Sequence, residues 1–227
     1  MNNLLFGALP YIALTILVGG TAYRYWKDER SWTSKSSEFL GKGSLKIAGP
    51  LFHVGLFMAL GGHVIGMFVP KSFTDGVGLS EHAYHLIALG GGIPAGIFLC
   101  LGFFLLMHRR FDKARMKVNT SLIDGALYAV LFLTIATGFG GTLLSAVGLL
   151  GDDFNYRECI SPWLRSVLML NPDVSLMDNA PIIFKIHVLC AMATMIIFPI
   201  SRLVHCISGV LAPVELFMRS PIIYRRK

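Results

Sequence analysis

Four histidines lie inside two long apolar stretches: His53 and His63 in LFHVGLFMALGGHVIGM, and His187 and His205 in FKIHVLCAMATMIIFPISRLVH. An ionisable side chain in hydrocarbon is costly and faces a partner or a functional group. Ten residues separate the first two histidines and eighteen the second two. At about 100° per helical residue, His63 falls about 80° round from His53, and His205 returns to the face of His187, so all four can look into one interior. A single intramembrane histidine is accounted for by an interhelical hydrogen bond. Two on each of two helices instead suit pairs of axial ligands for two haem groups. Non-haem iron or zinc would recruit carboxylates, and these two stretches contain none. The sequence has no C-x-x-C-H, so a haem would be held by ligation and packing alone, as haem b is.

The elements that must position these rings are membrane helices. Of 227 residues, 54% are hydrophobic and 15% charged, and the mean hydropathy is +0.64, above what a soluble domain needs for its core. Hydropathy places spans at about 4–24, 47–69, 83–107, 122–149 and 182–207, each of the length that crosses about 30 Å of hydrocarbon. The fourth is interrupted by Gly138, Gly140 and Gly141. The first has no basic n-region and no small-residue cleavage pattern, which reads as a retained helix. The fold expected is an all-α membrane protein of five spans in one domain, 1–207, followed by a tail, 208–227.

The net charge of +7 does not form a nucleic-acid patch, because the basic residues sit in short segments between spans. Arg24, Lys27, Arg30, Lys35, Lys42 and Lys46 follow span one, Arg109, Arg110, Lys113, Arg115 and Lys117 follow span three, and Arg219, Arg225, Arg226 and Lys227 close the tail. The positive-inside rule then sets the N-terminus outside and the C-terminus in the cytoplasm. Trp26 and Trp32 suit interfacial anchors. Ser161-Pro162, followed by Trp163, Leu164, Val167 and Leu168, reads as a capped short helix on the outer membrane surface. The four cysteines, Cys100, Cys159, Cys190 and Cys206, form no C-x-x-C pair and imply neither a disulfide framework nor a zinc site.

With this topology spans two and five are antiparallel. His53 and His205 then belong to the cytoplasmic half and His63 and His187 to the outer half, as two stacked bis-histidine sites. The rises are unequal, about 15 Å on span two and about 27 Å on span five, so tilt or a bend at Pro199 must absorb the difference. Gly55, Gly61, Gly62 and Gly66 flank the histidines of span two, either to admit a flat macrocycle or to pack helices closely. Arg202, one turn before His205, suits a haem propionate or a lipid phosphate. His108, in the basic turn HRR, suits the interface.

These residues resemble the membrane cytochrome b (gamma) subunit family of bacterial respiratory nitrate reductases. The resemblance covers nearly the whole chain: LFHVGLFMALGGHVIGM, the GGG segment of span three, HRRFDKARMK, YRECISPWLRSVLMLNPD, and FKIHV with FPISRLVH. It implies two haem b groups, with His53 and His205 as axial ligands of the inner one and His63 and His187 of the outer. It also implies quinol oxidation at the outer side and electron transfer to a cytoplasmic iron–sulfur subunit. A molybdenum-containing partner would reduce nitrate, all at the bacterial cytoplasmic (inner) membrane. Enterobacterial members carry a lysine beside the quinol pocket at the start of span three. This chain reads SEHAYHLIALGGG there, so His82 or His85 stands where a hydrogen-bond partner or proton acceptor is needed, in a pocket with Gly62 and His63. Both rings also suit plain solvated positions.

Two other readings share some of these features. Intramembrane histidines that relay protons in a haem-free transporter would give a colourless protein. The cytochrome b subunit of a hydrogenase, formate dehydrogenase or sulfite-reduction complex would differ in its partner.

Overall fold

The structure, a computed structural model, describes residues 2–28, 45–112, 117, 120–150 and 154–207. Among them, five helices are long and apolar enough to cross a membrane: Asn3–Lys27, Leu45–Phe68, Glu81–Asp112, Leu122–Ala146 and Ile182–Ile200. The first opens with a π-helical turn, Asn3–Ala8, and continues as α1 (Leu9–Asp28). Then come α2 (Leu45–Phe68), the short α3 (Lys71–Gly76), α4 (Glu81–Asp112), α5 (Leu122–Ala146), the short α6 (Ile160–Leu168) and α7 (Ile182–Ile197). Trp32, the basic residues Arg30, Lys35, Lys42, Lys113 and Arg115, and the tail 208–227 lie outside the described residues. All four cysteines are free.

Packing runs α2–α4–α5–α7–α1, an arc in which α2 and α7 are not close-packed neighbours. Glycines set the tightest crossings, because small residues let backbones approach where lipid offers no hydrophobic drive for helices to associate. A Cβ on Gly55 of α2 would fall 2.6 Å from the Leu99 nitrogen, and one on Gly102 of α4 would fall 2.5 Å from the Phe52 nitrogen. Both obstacles are backbone and cannot swing away. Gly102→Val should therefore cost at least the about 1–3 kcal/mol typical of overpacking, seen as a lower Tm of the detergent-solubilised protein. An unchanged Tm would mean the helices do not cross this closely.

Three sequence expectations change. Span four is not interrupted: α5 is continuous through Gly138, Gly140 and Gly141, because these glycines receive α7. A Cβ there would meet His187, Ile183 and Phe184 respectively. Span five is not one helix to residue 207: α7 stops at Ile197, and two 3-10 turns follow, Phe198–Ile200 and Arg202–Val204. The short helix α6 does not use its apolar face on the membrane surface, nor is Ser161 its cap. Trp163 and Val167 are 3% and 2% exposed, within a core that includes Phe6, Met177 and Met192. The Trp163 indole donates to the Phe6 carbonyl (2.9 Å) in the wide π-turn, and Ser161 Oγ donates to Gly66 O (3.0 Å). Thus α6 closes one end of the bundle, over the last turn of α2.

Candidate functional site

Across the interior of the arc, the histidines of α2 face His187 of α7 and His205 just past the second 3-10 turn that follows it. The rings of His63 and His187 have centres 5.9 Å apart and planes 31° apart, toward the α6 end. Those of His53 and His205, toward the other end, are 6.3 Å and 78° apart. Two imidazoles on opposite sides of one metal, at the usual nitrogen–metal distance of about 2 Å, have ring centres about 6 Å apart. Both pairs have this separation.

Each ring is held through the same nitrogen. His53 Nδ1 lies 2.8 Å from Gly49 O and His63 Nδ1 2.7 Å from Ala59 O, each a carbonyl one turn back on α2. His187 Nδ1 lies 3.0 Å from Thr134 O and 3.2 Å from Thr137 Oγ1 on α5, and His205 Nδ1 lies 2.6 Å from Arg202 O. A carbonyl only accepts, so in all four rings Nδ1 donates, which in a neutral imidazole leaves the lone pair on Nε2. That tautomer is the one that ligates through Nε2 while a backbone partner orients the ring.

The donor set also fits a macrocycle. Among the described residues no group of three or more His, Cys, Asp or Glu side chains gathers to hold a metal, and each histidine pair would supply two imidazole nitrogens to a haem iron, whose remaining ligands the haem itself would bring. Space is arranged accordingly. A Cβ on Gly138 would lie 2.7 Å from His187 Cε1, so this glycine seats the ring, whereas Cβ atoms on Gly61 and Gly62 would meet nothing within 4 Å. The glycines of α2 therefore divide. Gly55 lies against α4 and Gly66 under Tyr156, while Gly61 and Gly62 border open space.

Arg202 binds a protein carboxylate: its Nε and Nη2 lie 2.5 and 2.6 Å from Asp124 Oδ1 and Oδ2. Asp124 was not singled out in the sequence, though it also completes a capping box with Ser121 at the start of α5. His82 and His85 are exposed in the first turn and a half of α4. Among the described residues neither makes a hydrogen bond or ring contact with Gly62 or His63.

A second cluster at the α6 end went unread in the sequence. Arg157 is 3% exposed; its guanidinium lies 3.7 Å over the Tyr84 ring, donates to Thr74 Oγ1 (2.6 Å) and meets Glu81 (3.3 Å). The Tyr84 and Tyr156 hydroxyls are 3.2 Å apart, and a Cβ on Gly66, one turn beyond His63, would come within 3.1 Å of the Tyr156 hydroxyl. Burial first, then the hydrogen bond to Tyr84, pushes Tyr156 well above the usual phenol range, so its hydroxyl stays protonated. The only sequence cue was the coexistence of Glu81 and Arg157, 76 residues apart.

Comparison with known proteins agrees with this architecture. A family model described as nitrate reductase gamma subunit matches residues 2–227. The nitrate reductase gamma chain of Bacillus subtilis is 38% identical over 226 residues, covering 100% of this chain and 99% of that one. The respiratory nitrate reductase 1 gamma chain of Escherichia coli is 28% identical over 96% of this chain and 95% of its own length. A nitrate reductase-like protein, NarX, of Mycobacterium tuberculosis is 40% identical over the whole chain, which spans 34% of that longer protein. The chain belongs to the nitrate reductase gamma subunit family, as a membrane-spanning subunit of an oxidoreductase complex.

Proposed function

We propose that this chain is the electron-input subunit of its nitrate reductase. It oxidises quinol at the outer side of the bacterial inner membrane and delivers the electrons to a cytoplasmic iron–sulfur subunit, with nitrate reduced on a molybdenum-containing partner. The observation that carries this reading is the pair of bis-histidine sites stacked between α2 on one side and α7 with the segment after it on the other. His53 and His205 would hold an inner haem b and His63 and His187 an outer one, each supplying a one-electron redox centre when bound. The alternation of basic segments supports an outside N-terminus and a cytoplasmic C-terminus, with the α6 end outside and the tail 208–227 available to partners.

The residues around the outer pair suit the substrate. Quinol is an apolar ring with two hydroxyls, so its pocket needs an apolar slot open to lipid and a group that takes the hydroxyl proton. Gly62 borders open space beside His63, and the exposed His85 lies near the start of α4, where a proton leaves directly to water. Protons released outside while electrons move inward separate charge without a pump.

The test is the assembled complex in native membranes. Pyridine haemochrome analysis should give about two haem b per chain, and a quinol analogue should reduce both. A complex without haem would overturn the reading and revive the proton-relay alternative. His85→Ala should slow quinol-driven haem reduction by about 100-fold, the usual loss for a general base, with haem content intact. An unchanged rate would take His85 out of the pocket.

A further inference from the structure

The segment that presents His205 is a broken helix. After Ile197 the chain makes a 3-10 turn through Pro199, passes through Ser201 in an extended conformation (φ −100°, ψ −176°), and makes a second turn, Arg202–Val204, whose first carbonyl receives the His205 Nδ1 proton. A break in a helix frees carbonyls from helical donors, and where they are buried they must be satisfied by other means. Here two of them have the same donor: Arg24 of α1 places Nη1 2.6 Å from Pro199 O and 2.8 Å from Ser201 O. The approach of α1 depends on Gly20, one turn before Arg24, where a Cβ would lie 2.9 Å from the Pro199 ring. On the far side of the break, Arg202 is forked onto Asp124 of α5. Asp124 is itself 3% exposed, fixed by the Ser121 capping box, and 3.6 Å from Arg110 Nη2.

We propose that Arg24 and Asp124 are positioning residues for His205: they clamp the broken segment from α1 and α5 and so fix the angle at which its imidazole faces His53. This rests on the reading that the pair holds a haem. The clamp sits on the longer of the two histidine ladders. An unbroken α7 would carry His205 about 27 Å from His187 against about 15 Å between His53 and His63, yet both pairs are about 6 Å apart. The break lies between the two histidines of the longer ladder, where the chain leaves the regular helix before it presents His205. Ser201 caps the second turn and bonds back to Phe198 O within the break, and Arg24 and the Arg202–Asp124 fork hold it from α1 and α5. A bidentate arginine–carboxylate pair fixes direction as well as distance, and partners behind a ligand tune the centre it serves.

The test uses the assembled complex with Asp124→Asn, Arg24→Gln and the milder Arg24→Lys and Asp124→Glu. Redox titration and low-temperature EPR read the two haems separately, since the iron signal depends on the angle between the ligand rings. The expected result is a change confined to the His53/His205 haem: an altered g-value and at least a tenfold change in its reduction equilibrium, about 59 mV for one electron. The outer haem should stay as in wild type, and Asp124→Glu should restore most of the inner signal. Two unchanged haems would overturn the clamp while leaving haem ligation intact. Equal loss of both haems would show a general folding role and also overturn it. If Asp124→Asn and Arg24→Gln do not assemble, Arg24→Lys decides, an inner-only shift supporting the clamp and no shift refuting it. A wild-type complex without haem would instead defeat the underlying assignment.

Discussion

His53→Ala and His205→Ala should each remove one and the same haem from the complex, and His63→Ala and His187→Ala the other. The expectation rests on ring geometry, because His53 faces His205 and His63 faces His187 at separations that admit a shared metal. Loss of an outer hydrogen-bond partner behind a metal ligand costs about 10–100-fold in affinity. Loss of the ligand itself should exceed that and abolish the centre. Quinol-driven nitrate reduction should then fall by more than about 100-fold in all four variants, while dye-linked nitrate reduction in the partner subunits persists. Difference spectra supply the check. If His53→Ala and His187→Ala removed the same band, the pairing would be crossed and the antiparallel arrangement of α2 and α7 would be wrong.

Much of this arrangement was legible because it depends on local signals. Each span announces itself by about 20 apolar residues, and the two histidine pairs follow once α2 and α7 are taken as antiparallel. What was hidden depends on contacts between residues far apart in the chain. Pro199 signalled a bend, but the extended Ser201 and the donor that satisfies the freed carbonyls come from packing, with Arg24 175 residues from Pro199. Arg202 reads in the sequence as a partner for a haem propionate or a lipid phosphate. The carboxylate it binds, Asp124, is 78 residues away, in a position that looks like an ordinary helix start. The apolar face of α6 fits a lipid surface as well as it fits the underside of a protein lid, since hydrophobicity does not name its partner; Phe6 and Met177 settled the matter. The glycines misled for a related reason. A helix propensity penalty of about 1 kcal/mol each made Gly138, Gly140 and Gly141 look like a break, whereas a bilayer holds the backbone helical and uses their missing Cβ atoms for contact.

Gly138→Val should remove the outer haem with the spectral signature of His187→Ala. The imidazole of His187 lies across one turn of α5, its Nδ1 directed at Thr134 O and Thr137 Oγ1, with Gly138 beneath. A Cβ on Gly138 would stand 2.7 Å from Cε1, 3.1 Å from Nδ1 and 3.4 Å from Nε2, so the added atom meets the whole ring, ligating nitrogen included. The ring cannot tilt aside without leaving both oxygens on α5, and valine adds two further methyls. Helix propensity makes the opposite prediction: replacing glycine within a helix relieves backbone entropy by about 0.5–1 kcal/mol when alanine is introduced. The two effects are separated at Gly125 of the same helix, where a Cβ would meet nothing within 4 Å. Gly125→Ala should keep both haems and equal or raise the Tm, and Gly138→Ala should already lower outer-haem occupancy although its helix is intrinsically more stable. Full occupancy and an unchanged outer-haem potential in Gly138→Val would show that His187 is not the ligand seated on α5, because a ring bound at that place has no room for the new side chain.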